Sequence, residues 1–437
     1  MIKPHTAISE STPLCERLHH FINDTRAIDC HDHILPREQV AATGDVLFHL
    51  FAVSCLRSVP TDPEATLPTP PYDSGTTWEI LSPHLPAIAN TTAYRSLVAA
   101  SKLLYDFDGF PLDEKGYNEL RARMASAYRR EDWYAEALGN KGKIDAVIWA
   151  APEAGSPVPQ PRELFLPAAN LDGFLRAYAY EQRVRLEREF HVRIESFNDL
   201  VDLLKEAVTV FSEEGAPAFW FGFSRFRALL VGGADSRQVA AVFQKTENEI
   251  TPEEAKQFQD FVIHFVADRC ASVGTPLQID TGAQENALSI EQSDPCQTTG
   301  LVADHTNTRF VFLHGSGPFW RHLGALAKTF PNVYVDGSSL ASHSATLLHE
   351  VVGEWLELVP VGKMLLWGGN ALRVESTIGS LLLTRQVLAE VLAERVDEGF
   401  YSEELAFDLA RKLLRDMPRR IYRTDEMRIR QRTAMEA

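Results

Sequence analysis

Cysteine is scarce in this 437-residue chain: five residues, at positions 15, 30, 55, 270 and 296. They are odd in number and scattered, with no CxxC spacing. That disfavours a disulfide framework and a zinc-finger site, and it fits a reduced, cytoplasmic setting. Basic residues are also short: 43 Lys plus Arg against 60 Asp plus Glu leave a net charge of −17. Such a balance repels phosphate backbones and anionic lipid, so no nucleic-acid or membrane partner is expected. No run approaches the roughly 20 apolar residues of a membrane span, and the opening MIKPHTAISE has no apolar region of the signal-peptide kind. Walker A, GxGxxG and GxSxG patterns do not occur, which leaves nucleotide-binding and serine-hydrolase readings without support.

What is present is globular: 45% hydrophobic and 24% charged residues, enough to fill a barrel or a doubly wound core. Short apolar runs, four of them ending in a polar residue, recur along the chain: 27–31, 144–149, 163–167, 217–223, 276–280, 309–314, 332–336 and 364–367. Runs of this length with little alternation read as strands buried on both faces, as in parallel sheets. Helix-length segments separate the later ones. In 251–273, for example, Thr251, Pro252 and Glu254 form an N-terminal capping signature. Eight such strands predict an α/β fold, a (β/α)8 TIM-like barrel, with an open doubly wound sheet as the competitor. The spacing predicts one domain over 1–423. Within it, 34–143 would be a mostly helical insertion after the first strand, covering the barrel mouth, with a loop at Pro60–Tyr72. Residues 424–437 read as a charged tail.

The chemistry-bearing residues sit at strand ends. In His31-Asp32-His33, residues i and i+2 of an extended strand point to the same side, so both imidazoles can converge on one cation. Asp280 ends PLQID, His314 ends VFLH, Asp336 ends VYVD and Asn370 follows MLLWGG. In a parallel barrel these ends surround one mouth. Histidines with a carboxylate suit zinc, iron, manganese or cobalt. Trp220, Trp320 and Trp367 read as core or pocket wall, His343 and His349 as solvated, and Cys30 as a small buried hydrophobe facing away from the mouth.

In AIDCHDHILP, GTPLQIDTG, TRFVFLHGSGPFWRHLGALAKTFPNVYVDGSSL, EWLELVPVGKMLLWGGNALRVES and RRIY the chain resembles the amidohydrolase superfamily, in its amidohydrolase-related branch near the uronate isomerases. The resemblance implies a (β/α)8 barrel with one or two divalent metals, acting in hydrolysis, decarboxylation or isomerisation. The chain also departs from that pattern. Asp280 stands where the branch has a strand-five His, Asn370 where strand eight carries the catalytic Asp, and Gly215–Trp220 where many relatives place a bridging Lys. One divalent transition metal (zinc, iron or manganese) is therefore expected, on His31, His33 and Asp280, with His314 or Asn370 as a fourth ligand or hydrogen-bonded to bound water. Asn cannot act as a general base, so Asp336, Asp32 or a His would take that role. His314, Asp336 and Asn370 are the candidate catalytic residues, and Arg225, Arg321 and Arg373 the candidates to hold a substrate carboxylate.

Two function classes remain open. One is a metal-dependent enzyme for a small polar or carboxylated molecule. The other is a site-depleted subunit that partners a related amidohydrolase-fold chain, since the family includes two-subunit oxygenases such as 2-aminoisobutyrate monooxygenase. A homo-oligomer or hetero-oligomer is expected in either case.

Overall fold

Each of the eight apolar runs forms a strand in the computed structural model, which describes residues 12–56, 71, 77–152, 156–283 and 289–436. They are β1 Ala27–Asp32, β2 Ile144–Ala150, β3 Phe165–Asn170, β4 Phe219–Phe221, β5 Leu277–Ile279, β6 Phe310–Phe312, β7 Val333–Asp336 and β8 Met364–Leu365. All neighbours are parallel, in chain order β1 to β8. Cys30 N donates to Trp367 O at 3.1 Å and Asn370 N to His31 O at 3.0 Å, drawing the last strand onto the first. The expected (β/α)8 barrel is the fold, and the open doubly wound sheet is not.

Alternation along the strands separates two apolar shells. Leu277, Ile279, Phe310 and Phe312 pack in the outer shell under the helices, while Ile28, Cys30, Ala146, Trp220, Val311 and Leu365 fill the barrel interior. Between Leu277 and Ile279, the polar Gln278 is fully buried. The helix Pro252–Val273 begins as its sequence predicts, with Glu254 N donating to the Thr251 hydroxyl and Thr251 N to the Glu254 carboxylate, and it ends at Gly274 with φ 69°.

Between β1 and β2 the chain forms the helices Val46–Ser54, Thr92–Tyr105 and Glu114–Tyr128. The proline-rich stretch read as a loop lies, Pro71 apart, outside the described residues. Two devices seat the latter two of these helices against Val374–Asp397. The buried Glu375 carboxylate accepts from the Tyr105 and Tyr128 hydroxyls. Gly379 allows a close approach, because a Cβ there would stand 2.5 Å from Ser96 O.

The segment read as a charged tail is instead the helix Thr424–Glu436. Thr424, Met427 and Gln431 are buried, Gln431 Nε2 donates to Gly215 O at 3.1 Å, and Arg430 Nη1 donates to Ser212 O at 2.8 Å. Spacings of three and four place these three residues on one face, a pattern that the high local charge obscures. Among the described residues no helix is long and apolar enough to cross a membrane.

Candidate metal centre

Two aspartates of β1 hold its end in place. Asp29 Oδ1 accepts from His31 N at 3.2 Å and Gly369 N at 3.0 Å. Asp32 Oδ1 accepts from His33 N at 2.8 Å and Ala371 N at 2.7 Å, and its Oδ2 accepts from the Thr377 hydroxyl at 2.7 Å. The β1–β2 register shifts between Asp29 and Asp32, an irregularity that re-aims side chains at the strand end. Both Asp32 oxygens are therefore committed to the backbone and to Thr377, so this residue is a brace rather than a substitute base. Burial raises its carboxyl to about 6, and burial together with Asp32 raises Asp29 well above the carboxylate range.

His31 and His33 converge as their spacing predicts, with Nε2 atoms 3.1 Å apart. The tautomer of His31 follows from its neighbours. Gln278 donates its amide N–H groups to Cys30 O (3.0 Å) and to Tyr422 Oη (2.8 Å), which turns its Oε1 toward His31 Nδ1 at 3.2 Å. Nδ1 thus carries the proton, and the Nε2 lone pair faces the mouth. Burial, then the neighbouring imidazoles, holds His31 well below the usual histidine range; burial lowers His33 to about 4. Both are neutral at pH 7, the form that binds a cation.

Asp280 closes the group. Its Oδ1 accepts from Trp220 Nε1 at 2.9 Å and lies 3.2 Å from His314 Nε2, while its Oδ2 accepts from Arg225 Nη2 at 2.8 Å and Nε at 3.2 Å. Burial alone would raise this carboxyl, yet His314, Arg225 and His31 together hold it well below the usual range. Donor atoms of His31, Asp280 and His314, all buried, lie within 4.8 Å of one another. Two nitrogens on one ion at zinc-ligand distance stand roughly 3.0–3.4 Å apart, and the His31–His33 separation falls in that range. The imidazoles of His31, His33 and His314 with the ionised carboxylate of Asp280 make a donor set that fits a single zinc or iron ion.

The other expected residues divide. Asn370, at φ 46°, donates from Nδ2 to Ser339 Oγ at 2.7 Å, and the same oxygen lies 3.0 Å from His314 Nδ1. Asp336 is buried, with Oδ1 accepting from Ser338 N at 2.8 Å and Oδ2 unpartnered; burial raises its carboxyl to about 6. A cavity of about 500 Å³ opens beside the group, lined among others by His33, His49, Arg225, Ser339, Asn370 and Arg373. Leu50 of Val46–Ser54 and Leu97 of Thr92–Tyr105 contribute to its wall. Arg373 is 2% exposed and pairs with no carboxylate among the described residues; its Nη2 lies 3.1 Å from His49 Nδ1 and its Nε is unpartnered. Arg321 is elsewhere. Its guanidinium is exposed, clasps Glu354 from Nε at 3.0 Å, and takes no part in lining the cavity. His343, read as solvated, is exposed but borders the cavity, and His49 was not singled out at all. A lone His inside the apolar helix VLFHLFAVS carries no local signal of a site.

Residues 232–424, a little under half the chain, match the Amidohydrolase family model. Protein fluG of Emericella nidulans is 33% identical over 155 residues, which are 35% of this chain and 18% of that protein. A uronate isomerase of Shouchella clausii is 30% identical over 117 residues, 26% of this chain and 24% of that enzyme. The chain therefore matches less than a quarter of the length of these two relatives. In fold it is similar to a uronate isomerase from Thermotoga maritima, with a TM-score of 0.75 over 96% of this chain and 100% of that one, at 14% identity. The family likeness thus lies in residues 232–424, and the likeness to the solved structure is one of fold.

Proposed function

We propose that this chain, an amidohydrolase-fold protein, is a mononuclear metal-dependent enzyme acting on a small polar or carboxylated substrate by hydrolysis, decarboxylation or isomerisation. The observation that carries the reading is the buried group of His31, Asp280 and His314, with His33 Nε2 3.1 Å from His31 Nε2, beside a cavity that also holds two arginines. His31, His33 and Asp280 hold a zinc, iron or manganese ion, with His314 as the fourth ligand. Such an ion polarises a carbonyl or acidifies a bound water.

The chain's own residues do the rest. Arg373, buried and without a carboxylate partner among the described residues, receives the substrate carboxylate, and Arg225, which also lines the cavity, steers it. Asn370 holds Ser339, and through it His314, rather than moving a proton. Asp336 is the carboxylate with a spare oxygen near His314, and it takes the proton that Asn370 cannot. Elemental analysis of the purified protein is the test: His31→Ala should hold about one equivalent less divalent metal than the wild type. No difference between the two would overturn the reading.

Asn370→Asp by itself is expected to bring no strong hydrolase activity. It adds a second carboxylate near Asp280 and replaces the donor that Ser339 accepts from with an acceptor. The double variant Asp280→His with Asn370→Asp restores one carboxylate among imidazoles and should hydrolyse faster. Equal gains from the single and double variants would show that the two positions do not compensate.

The Arg225–Asp280 ion pair favours a second reading, as a partner subunit in a heteromeric complex such as a non-haem metal monooxygenase, because the carboxylate already has a cation. Co-expression with a related chain that has the full ligand set decides between them. Either reading has the chain in an oligomer, and Phe400 and Leu405, 62% and 40% exposed, supply apolar surface for one. Light scattering at micromolar concentration should show a dimer or larger; a catalytically active 48.9-kDa monomer would remove both the oligomer and the partner role.

A further inference from the structure

We propose that Asp294, Cys296 and His322 form a second binding site, for a thiophilic divalent cation such as zinc, which staples the segment after β5 to the helix Trp320–Thr329. Three different donor atoms, a carboxylate oxygen, a sulfur and an imidazole nitrogen, lie within 4.8 Å of one another. The two chain segments that supply them are already held together. Asp294 Oδ1 accepts from Cys296 N at 2.9 Å, fixing the turn Pro295–Thr298, and its Oδ2 accepts from His322 Nδ1 at 2.8 Å. Cys296 is the exposed cysteine of the five; Cys30, Cys55 and Cys270 are buried and Cys15 is intermediate. One sulfur, one nitrogen and one oxygen suit zinc, with water completing four-fold coordination.

The surroundings also argue against the other use of such a trio, a nucleophilic thiolate. Burial and then Asp294 raise the Cys296 thiol above its ordinary range, the opposite of activation. A cation reverses that balance. The Cys296 S–H proton leaves to solvent as the sulfur–metal bond forms, and the His322 proton moves from Nδ1 to Nε2 as Nδ1 turns from Asp294 to the ion. One proton is released per ion bound.

The staple bears on the barrel mouth. Gln292 O accepts from Leu229 N at 2.9 Å and Ser293 O from Gly282 N at 3.0 Å. The residues just before Asp294 therefore touch the segment that follows Arg225 and the one that follows Asp280. A bound cation would hold both in place.

Cobalt(II) titration of the full chain tests the proposal through the near-ultraviolet thiolate-to-cobalt absorption. The band is expected to reach the amplitude of one thiolate-bound cobalt per chain in the wild type and in His31→Ala, to vanish in Cys296→Ser, and to need at least tenfold more cobalt in His322→Gln. Zinc should abolish it by competition, and apparent affinity should rise about tenfold per pH unit while the thiol is protonated. Absence of the band in the wild type, or its persistence in Cys296→Ser, would overturn the site. Its loss in His31→Ala would assign the signal to Cys30 in the barrel and would overturn it equally.

Discussion

His31→Ala is expected to lower the divalent metal bound per chain by about one equivalent, and to weaken affinity at the barrel mouth by more than 100-fold. The reference is that removing a group which merely orients a ligand costs 10–100-fold, so loss of a ligand costs more. His31 is also the best prepared of the three imidazoles: Gln278 fixes its protonated nitrogen, and Gln278 is itself anchored at Cys30 O and Tyr422 Oη. Gln278→Leu should then give the smaller, second-order loss, because His31 remains but its tautomer is no longer set. Equilibrium titration with zinc in both variants checks the order. A Gln278→Leu loss as large as that of His31→Ala would mean that the two act on folding rather than on metal binding.

Asp260→Ala is expected to destabilise the fold by about 3–5 kcal/mol, the usual cost of leaving a buried charge without its partner. Arg227 and Asp260 are 8% and 2% exposed in their side chains and 2.6 Å apart. Asp260 Oδ2 additionally accepts from Lys256 Nζ at 2.6 Å and Gly232 N at 3.0 Å. Among the described residues Arg227 would keep Gln259, the carbonyls of Ala228 and Leu230 and the face of Phe223, none of them charged. Exposed pairs such as Arg130–Asp132 contribute little by comparison, and Asp132→Ala should leave the unfolding midpoint nearly unmoved. Urea unfolding of the two variants side by side measures the contrast. Equal midpoints would show that Arg227 finds solvent once Asp260 is gone.

Much of this was legible along the chain because its signals are local. A barrel strand is buried on both faces, so RFVFLH or NVYVD announces itself without any partner in view, and the eight runs map onto eight strands. The capping residues Thr251 and Glu254 act within one turn, and His31 and His33 share a face by strand geometry alone. Polar residues at strand ends point to a mouth in any parallel barrel, which groups Asp280, His314 and Asn370 from sequence alone.

What the tertiary structure alone decided is which of those groups meet and what each one faces. Arg225 reaches Asp280 across 55 residues, Gln278 sets His31 across 247, and His49 meets Arg373 across 324. Arg321 was as plausible from sequence as Arg373, yet its place on a helix surface gives it to Glu354. The helix Thr424–Glu436 docks because three residues in an otherwise charged segment fall on one face. Local patterning determined the strands, the ring order and the donor residues because hydrophobic periodicity and capping act over a few positions. The pairing of charges, the tautomer of His31 and the far wall of the cavity depend on how the ring closes and where the inserted helices come to rest, for which no short stretch of sequence carries a signal.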